Sequence, residues 1–396
     1  IIDKAIAARE VLVKAPGHLK RSFLRAGYPT TPFERAKIMT SNFFLHIHPP
    51  RVHLHSLEPA YTLGLGVITV SLFAILCITG FLLMFYYVPA VESAYGKMQD
   101  LIFVVSFGRL VRNLHRWTSD GMVIVVFLHM CRVFYTGAYK PPREFNWLVG
   151  VTLLLLTLLA AFTGYLLPWD QLSFWAVTVA TDIIRYIPLL GERARFLLLG
   201  GSGVGGEALV RFYAFHVALI PLALGILGSY HLWRIRKDGG LARPRGSEHG
   251  GDKKTVLSFP RLVYIELSIF LGVLIFFLII SLFFDAPLGE IANPEFSPNP
   301  AKAPWFFLGL QELVSYSAFL GGVVVPGLVV LVLLLLPYLD RDPRGVGLWF
   351  ARERRGLVIL WSLFVLAVLT LTLVGAYFRG PNWRFYWPWE GWPGPR

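Results

Sequence analysis

Four of the ten histidines in this chain of 396 residues fall within long apolar stretches. His115 and His129 lie fourteen residues apart on one stretch, and His216 and His231 lie fifteen residues apart on another. A histidine in a bilayer needs partners for its ring nitrogens, because lipid supplies none. Two histidines on one helix, with a matching pair on a second, therefore indicate a binding site more than four separate packing residues.

The spacing of these histidines predicts where they lie in a membrane. Fourteen residues rise about 21 Å along an α-helix and return to within about 40° of the starting face, and fifteen rotate about 60° past that face. The two helices run in the same direction, since two crossings separate them. We therefore predict two bis-histidine sites, one near each face of the membrane.

Two imidazoles in a dry helical bundle are typical axial ligands of a low-spin haem iron. A zinc site would more often draw on Cys, Asp or Glu at short helical spacing, which these stretches lack. A proton relay would use carboxylates within the membrane, and few are present. Cys77 and Cys131 lie in apolar stretches, and the chain has no CxxCH motif for covalent haem attachment. A transporter with histidines along its pathway is the alternative without haem.

Glycines repeat the same interval on two other apolar stretches. Gly66 and Gly80 are fourteen residues apart, as are Gly150 and Gly164. A flat macrocycle between helices needs positions without side chains, which glycine provides. Arginines near the ends of the stretches either pair with haem propionates or extend to the membrane surface, with equal weight. They are Arg112, Arg116, Arg132 and Arg211.

The composition predicts the elements that hold these residues. The chain is 55% hydrophobic and 15% charged, with a mean hydropathy of +0.59, which indicates a polytopic membrane protein. Seven stretches are long enough to cross about 30 Å of hydrocarbon, so we predict an all-α bundle of seven spans whose first four enclose two stacked haems. The spans are 61–88, 113–135, 147–167, 212–233, 262–284, 322–338 and 357–377.

The formal net charge is +13, and the positions of the basic residues along the chain indicate the membrane topology. Of the 37 lysines and arginines, 25 lie in or next to the N-terminal segment and the loops after spans two, four and six, against 12 on the other side. This split predicts that the N-terminus lies on the cytoplasmic, or equivalent negative, side of the membrane. Nucleic-acid binding is not expected, because the charge is explained by topology.

We divide the chain into five parts by composition. They are a basic surface segment at 1–60, a four-helix haem domain at 61–234, a basic linker at 235–261, a three-helix domain at 262–380 and a tryptophan-rich tail at 381–396.

Several motifs resemble the cytochrome b family of bc-type complexes over residues 45–380. They are "ITGFLLMFYY", "LHRW" with its later histidine, "TGYLLPWDQLSFWAV", "RFYAFHVALIPL" and "LGEIANP". The chain looks most similar to cytochrome b6 joined to subunit IV, because it has "PWDQ", seven spans and fifteen residues between His216 and His231.

The resemblance implies a quinol:cytochrome c oxidoreductase that is coupled to proton translocation. Quinol would be oxidised on the positive side, with one electron passing to a Rieske iron–sulfur protein and then to a c-type cytochrome. The other would cross through two non-covalent b haems to a quinone on the negative side. His115 and His216 would ligate the haem near the positive face, and His129 and His231 the other. The resemblance also implies a homodimer in contact with membrane lipids.

A haem b anchor of a membrane dehydrogenase is the alternative enzyme class, although it would not need "PWDQ" and "LGEIANP". By the resemblance, quinone-binding residues follow span three and precede span six, with one more on the negative side, for which a role in membrane topology alone is the favoured alternative. They are Pro168, Trp169, Asp170, Phe174, Ala176, Pro304, Trp305, Phe306 and Arg236.

The sequence departs from the family pattern in two places. The family's "PEWY" reads "APWF" at 303–306, so Pro304 replaces the glutamate that accepts a quinol proton. We expect Glu312 to take that role with a raised pKa, with Tyr316 as a weaker candidate. An ion pair that is only structural is an equal alternative for Glu312. The cysteine that holds a third haem in cytochrome b6 is Gly64 here, so no covalent haem c is predicted.

Overall fold

The computed structural model describes residue 16 and residues 28–43, 45–243 and 255–391. Within these ranges, seven helices are long and apolar enough to cross a membrane, which confirms the predicted helical architecture with seven spans. We label them α1 to α7 in chain order: Leu65–Met84, Gly108–Tyr135, Glu144–Tyr165, Gly206–Lys237, Arg261–Phe283, Leu320–Leu339 and Arg352–Phe378.

The main differences from the predicted spans are at polar helix ends. Helix α2 begins at Gly108, where the hydropathy pattern predicted Asn113, and α4 extends from Gly206 to Lys237. The added turns carry arginines and lysines, which lower the local hydropathy but are good helix formers. Hydropathy therefore located the apolar centre of each helix and not its ends.

Shorter elements lie between the spans. An antiparallel ladder, absent from the sequence prediction, pairs β1 (Arg51–His53) with β2 (Thr255–Leu257), with Arg51 opposite Leu257. It joins the N-terminal segment to the chain that leads into α5. The short helices are Pro32–Ser41, Pro59–Thr62, Ala94–Phe103, Gln171–Ile184, Gly191–Leu199 and Trp305–Tyr316. Single 3₁₀ turns are at Leu45–Ile47, Leu54–Leu57 and Pro381–Trp383, and the first turn of α7, Arg352–Arg354, is also 3₁₀.

Helix α2 is the most buried of the seven. It packs against α1, α3 and α5, while α3 also packs against α4 and α6. By contrast, α5 and α7 expose apolar side chains such as Leu282 and Leu360 along most of their length. Exposed leucines on outer helices are expected where lipid covers them, so α2 is the inner helix and α5 and α7 are peripheral.

Candidate functional site

The four intramembrane histidines form two pairs between α2 and α4. The ring centroids of His115 and His216 are 6.1 Å apart, and those of His129 and His231 are 6.4 Å apart. A metal between two imidazoles needs two metal–nitrogen bonds of about 2 Å each, and with the ring radii this gives a centroid separation of about 6 Å. Both pairs therefore have the spacing of two ligands on opposite sides of one metal ion.

The pairing on α4 depends on a local widening of that helix. Fifteen residues separate His216 from His231, which in a regular helix would rotate the second ring about 60° past the first. Phe215–Leu219 forms a π-helical turn, which contains His216. A π turn accommodates one extra residue within an α-helix, so both rings face α2.

Hydrogen bonds fix the orientation of the His115–His216 pair, which we call the outer pair, with His129–His231 as the inner pair. The Thr79 hydroxyl donates to the carbonyl of Ile75 at 2.7 Å and lies 2.9 Å from His115 Nδ1, so Nδ1 is the donor in that contact. His216 Nδ1 lies 2.9 Å from the carbonyl oxygen of Ala160, to which it donates. A proton on Nδ1 leaves Nε2 of each ring as the free ligand atom.

Each of the four glycines lies against one of the four histidines. A Cβ atom added to Gly66 or Gly150 would lie 3.5 Å from Cε1 of His129 or His231. At Gly80 the distance to His115 Cε1 would be 3.2 Å, and at Gly164 the distance to His216 Cε1 would be 2.4 Å. Gly164, and less tightly Gly80, thus provide space for an inward-turned imidazole, whereas a methyl group at Gly66 or Gly150 would make only ordinary van der Waals contact with the ring.

A cavity of about 460 Å³ contains the outer pair. Its wall includes His115, His216, Gly80 and Gly164, together with many apolar side chains. Cofactor pockets have this size and this mostly apolar lining with a few placed polar groups. These residues fit a b-type haem, because two opposed imidazoles face a mostly apolar cavity.

The four arginines predicted near haem propionates have different surroundings. Arg112 lines the cavity and donates to the carbonyls of Ala286 and Pro287 at 2.8 and 2.7 Å. Arg132, one turn after His129, is buried, and its Nη2 has no hydrogen bond among the described residues. Arg116 pairs with Asp120, whereas Arg211 donates to the carbonyl of Leu197 on a surface helix. The unpaired buried donor of Arg132 suits an anionic group beside the inner pair.

Asp170 of "PWDQ" is the N-cap of the helix Gln171–Ile184. Its Oδ1 accepts from the backbone N–H of Ser173 at 2.9 Å, and its Oδ2 accepts from that of Gly289 at 2.9 Å. Trp169 and Phe174 are buried, and their ring centroids are 5.6 Å apart. Ala176 is also buried and lies on the helix Gln171–Ile184. Pro168 lines the cavity. The segment after α3 and the loop before α6 thus meet through backbone contacts to Asp170.

The segment "APWF" contacts α2 through an acidic residue that sequence reasoning missed. Pro304 precedes the helix Trp305–Tyr316, and Trp305 packs edge-on against Phe306 with centroids 5.4 Å apart. The Trp305 indole donates to Asp120 Oδ1 at 3.0 Å. Asp120 is the one acidic residue between the two histidines of α2 in the sequence. A single carboxylate within an apolar span is the feature from which its importance could have been predicted.

Glu312 lies in an ion pair, and the expectation of a raised pKa is wrong. Its side chain is 1% exposed, and Arg379 donates to both of its oxygens, from Nη2 at 2.5 Å and from Nε at 3.0 Å. Trp383 and Tyr316 each donate a further bond of 3.0 Å. Burial raises the pKa of Glu312, but these donors together outweigh burial, so the pKa is lowered.

We expect Glu312→Gln to lower the free energy of unfolding by about 3 kcal/mol, because it leaves Arg379 without its buried partner. The folded-state pKa is below the ordinary value of about 4.3, so this stabilisation is complete above that pH and is lost as the pH falls below it. Thermal unfolding of the wild type and the variant should therefore converge on acidification. Glu295→Gln, at an exposed carboxylate, is the matched control. A difference that persists at low pH would contradict the ion pair.

On the opposite side of the membrane, Arg236 is held by the N-terminal segment. Its Nη1 donates to the carbonyl of His46, and the neighbouring Arg234 pairs with Asp238 at 3.0 Å. The cationic end of α4 is therefore fixed against the basic segment that precedes α1.

The chain is similar to known proteins in both halves. The family model described as cytochrome b/b6/petB matches residues 53–239, and that described as cytochrome b (C-terminal)/b6/petD matches residues 291–386. Over 185 residues the chain is 42% identical to cytochrome b6 of Heliomicrobium gestii, a match that covers 46% of this chain and 87% of that protein. Over 320 residues it is 33% identical to cytochrome b of Acanthamoeba castellanii, a match that covers 78% of this chain and 80% of that protein.

A solved structure of a hyperthermophilic respiratory Complex III contains a similar chain. The TM-score is 0.71 with 31% sequence identity, over 80% of this chain and 84% of that chain.

Proposed function

The chain belongs to the cytochrome b/b6 family, and from that premise we propose that it is the cytochrome b subunit of a quinol:cytochrome c oxidoreductase. The observation that carries this proposal is the pair of bis-histidine sites, with centroid separations of 6.1 and 6.4 Å, on one pair of helices. Such sites suit electron transfer across a membrane, since each holds one redox group at a different depth.

His115 and His216 hold one b haem, and His129 and His231 hold a second. When bound, the two haems carry single electrons between the two faces of the membrane. The protein supplies the Nε2 atoms of these histidines as ligands. Thr79 orients the ring of His115, and the carbonyl of Ala160 orients the ring of His216. Arg112 and Arg132 are placed to pair with anionic groups at the two sites. Gly66, Gly80, Gly150 and Gly164 leave room for the rings.

Quinol binds on the outer side, beside the first haem site. The pocket is formed by Pro168, Trp169, Phe174 and Ala176 after α3 and by Pro304, Trp305 and Phe306 before α6. Asp170 joins the first of these segments to the loop between α5 and α6 by accepting from the backbone N–H of Gly289. A quinone site on the inner side lies near Arg236. Glu312 and Tyr316 hold the helix Trp305–Tyr316 against the end of α7, so we assign them a positioning role. Oxidation of quinol outside and reduction of quinone inside couples electron transfer to proton translocation.

The partners are those of a bc-type complex: a Rieske iron–sulfur protein, a c-type cytochrome subunit and a second copy of this chain. The exposed apolar faces of α5 and α7 are covered by lipid. The excess of basic residues on one side supports a cytoplasmic N-terminus in a bacterial-type inner membrane.

Quinol:cytochrome c reductase activity of the purified complex, with its subunits identified, tests this proposal. We expect electron transfer from quinol to cytochrome c and an iron–sulfur protein that copurifies. A complex that carries b haem but transfers electrons only between a peripheral dehydrogenase and quinone would overturn it.

A further inference from the structure

Oxidation of a quinol breaks two O–H bonds, so a buried quinol site needs a group that accepts a proton. Within the described part of the chain, three carboxylates in the outer half of the bundle have side chains that are mostly withdrawn from water: Asp170, Glu312 and Asp120. Asp170 accepts one backbone bond on each oxygen, and Glu312 accepts from Arg379, Trp383 and Tyr316. Neither has an oxygen without a donor, which leaves Asp120.

Both donors to Asp120 contact the same oxygen. Arg116 Nη1 and Trp305 Nε1 lie 3.1 and 3.0 Å from Oδ1. No hydrogen bond reaches Oδ2 from any residue in the described ranges, and the side chain is 13% exposed. A carboxylate that is mostly withdrawn from water with one unfilled oxygen is poised to accept a hydrogen bond, because each oxygen offers two acceptor positions.

Asp120 lies between the proposed quinol pocket and the cavity, because one of its donors belongs to each. Trp305 belongs to the pocket segment, while Arg116, Ser119 and Tyr165 line the cavity that contains His115 and His216. The charged and titratable groups that face Asp120 are Arg116 on its own helix and Tyr165 on α3, whose ring lies 5.9 Å from the Arg116 guanidinium. Arg116 contacts Oδ1 and leaves Oδ2 without a donor among the described residues, so Oδ2 is the oxygen on which Asp120 can accept a proton.

We propose that Asp120 is the catalytic base that accepts a proton from the bound quinol, through Oδ2. This inference rests on the proposed function. One quinol O–H bond breaks as an O–H bond to Asp120 Oδ2 forms, and the second hydroxyl proton leaves to the outer aqueous phase. The two electrons would pass to two one-electron acceptors, the iron–sulfur partner and the haem that His115 and His216 would hold, and quinone would be the product.

The test compares Asp120→Asn, Asp120→Glu and wild type in the assembled complex, with quinol as substrate. We expect Asp120→Asn to keep both b-type absorption components and to lose about 100-fold in quinol oxidation, the lower range for a general base. The wild-type rate should rise with pH, and this rise should be absent in Asp120→Asn. Asp120→Glu should restore most of the rate. Asp100→Asn, at an exposed outer carboxylate paired with Lys97, is the control that should change nothing.

A second readout does not depend on turnover. The infrared difference spectrum between the quinol-reduced and oxidised complex should contain a carboxylic acid C=O band that shifts in Asp120→Glu and is absent in Asp120→Asn. Trp305→Phe should move the pH rise of the rate to higher pH, because it removes a donor that favours the ionised carboxylate.

The outcomes separate this inference from the function beneath it. A wild-type complex without quinol:cytochrome c activity overturns the proposed function itself. An active wild type together with an Asp120→Asn variant of unchanged rate and pH profile overturns only the role of Asp120. If Asp120→Asn loses its haem, the test depends on the Asp120→Glu and Trp305→Phe variants. If the pH profile and the infrared band are unshifted in both variants, the proposal is refuted.

Discussion

We expect the replacement of His115 by alanine to remove one of the two proposed b haems and to leave the other in place. The paired rings of His115 and His216 belong to one site, while His129 lies about 21 Å further along the same helix by helix rise, too far to share a ligand. Haem b per chain should fall by half, and the remaining component should keep its absorption band. His216→Ala should remove the same haem, whereas His129→Ala and His231→Ala should remove the other.

His55→Ala serves as the control for these variants. His55 contacts Glu58 at 3.1 Å in the N-terminal segment before α1, so its loss should leave both haems. Loss of both haems from a folded His115→Ala chain, or of neither, would contradict two separate sites. Loss of different haems in the His115 and His216 variants would contradict the pairing.

Alanine at Gly164 should displace His216 and remove the same haem. The added Cβ would lie 2.4 Å from Cε1 and 2.8 Å from Nδ1 of that ring, closer than such atoms approach in proteins. The ring cannot move away without losing its bond to the carbonyl of Ala160. Overpacking of this kind costs about 1–3 kcal/mol, and here the ligand itself must move. Haem content and the b-type spectrum provide the measurement.

Gly150→Ala on the same helix is the matched control. Its Cβ would lie 3.5 Å from Cε1 of His231, an ordinary van der Waals contact, so both haems should remain. Both substitutions add the same methyl group to α3, and only its distance from an imidazole differs. Equal haem loss in the two variants would indicate a general effect on α3, and full haem retention at Gly164 would contradict the position of the His216 ring.

The sequence was sufficient to predict the histidine pairs because helical geometry relates residue spacing to depth and direction. His115, His129 and the glycine intervals follow from that period alone, and the seven apolar spans follow from the thickness of a bilayer. The function of Gly164 was less accessible. Its contact with His216 depends on how closely α3 approaches α4.

Other features depend on chain geometry that no periodic pattern encodes. The π turn at Phe215–Leu219 determines the direction of His216, and an unbroken helix would have been the expectation there. The contacts between Glu312 and Arg379 and between Asp120 and Trp305 join residues that are 67 and 185 positions apart. Such pairs depend on how the helices pack. The sequence therefore suggested Glu312 as a base, whereas the contacts around Asp120 were visible only in the fold.

The number of b haems per purified wild-type chain, measured together with a redox titration of the b-type absorption band, tests the two-site architecture most directly. Two haems per chain that titrate as two components are the expected result, since the two histidine pairs lie in separate surroundings. One haem per chain, or none, would contradict the assignment of His115, His129, His216 and His231 as two ligand pairs.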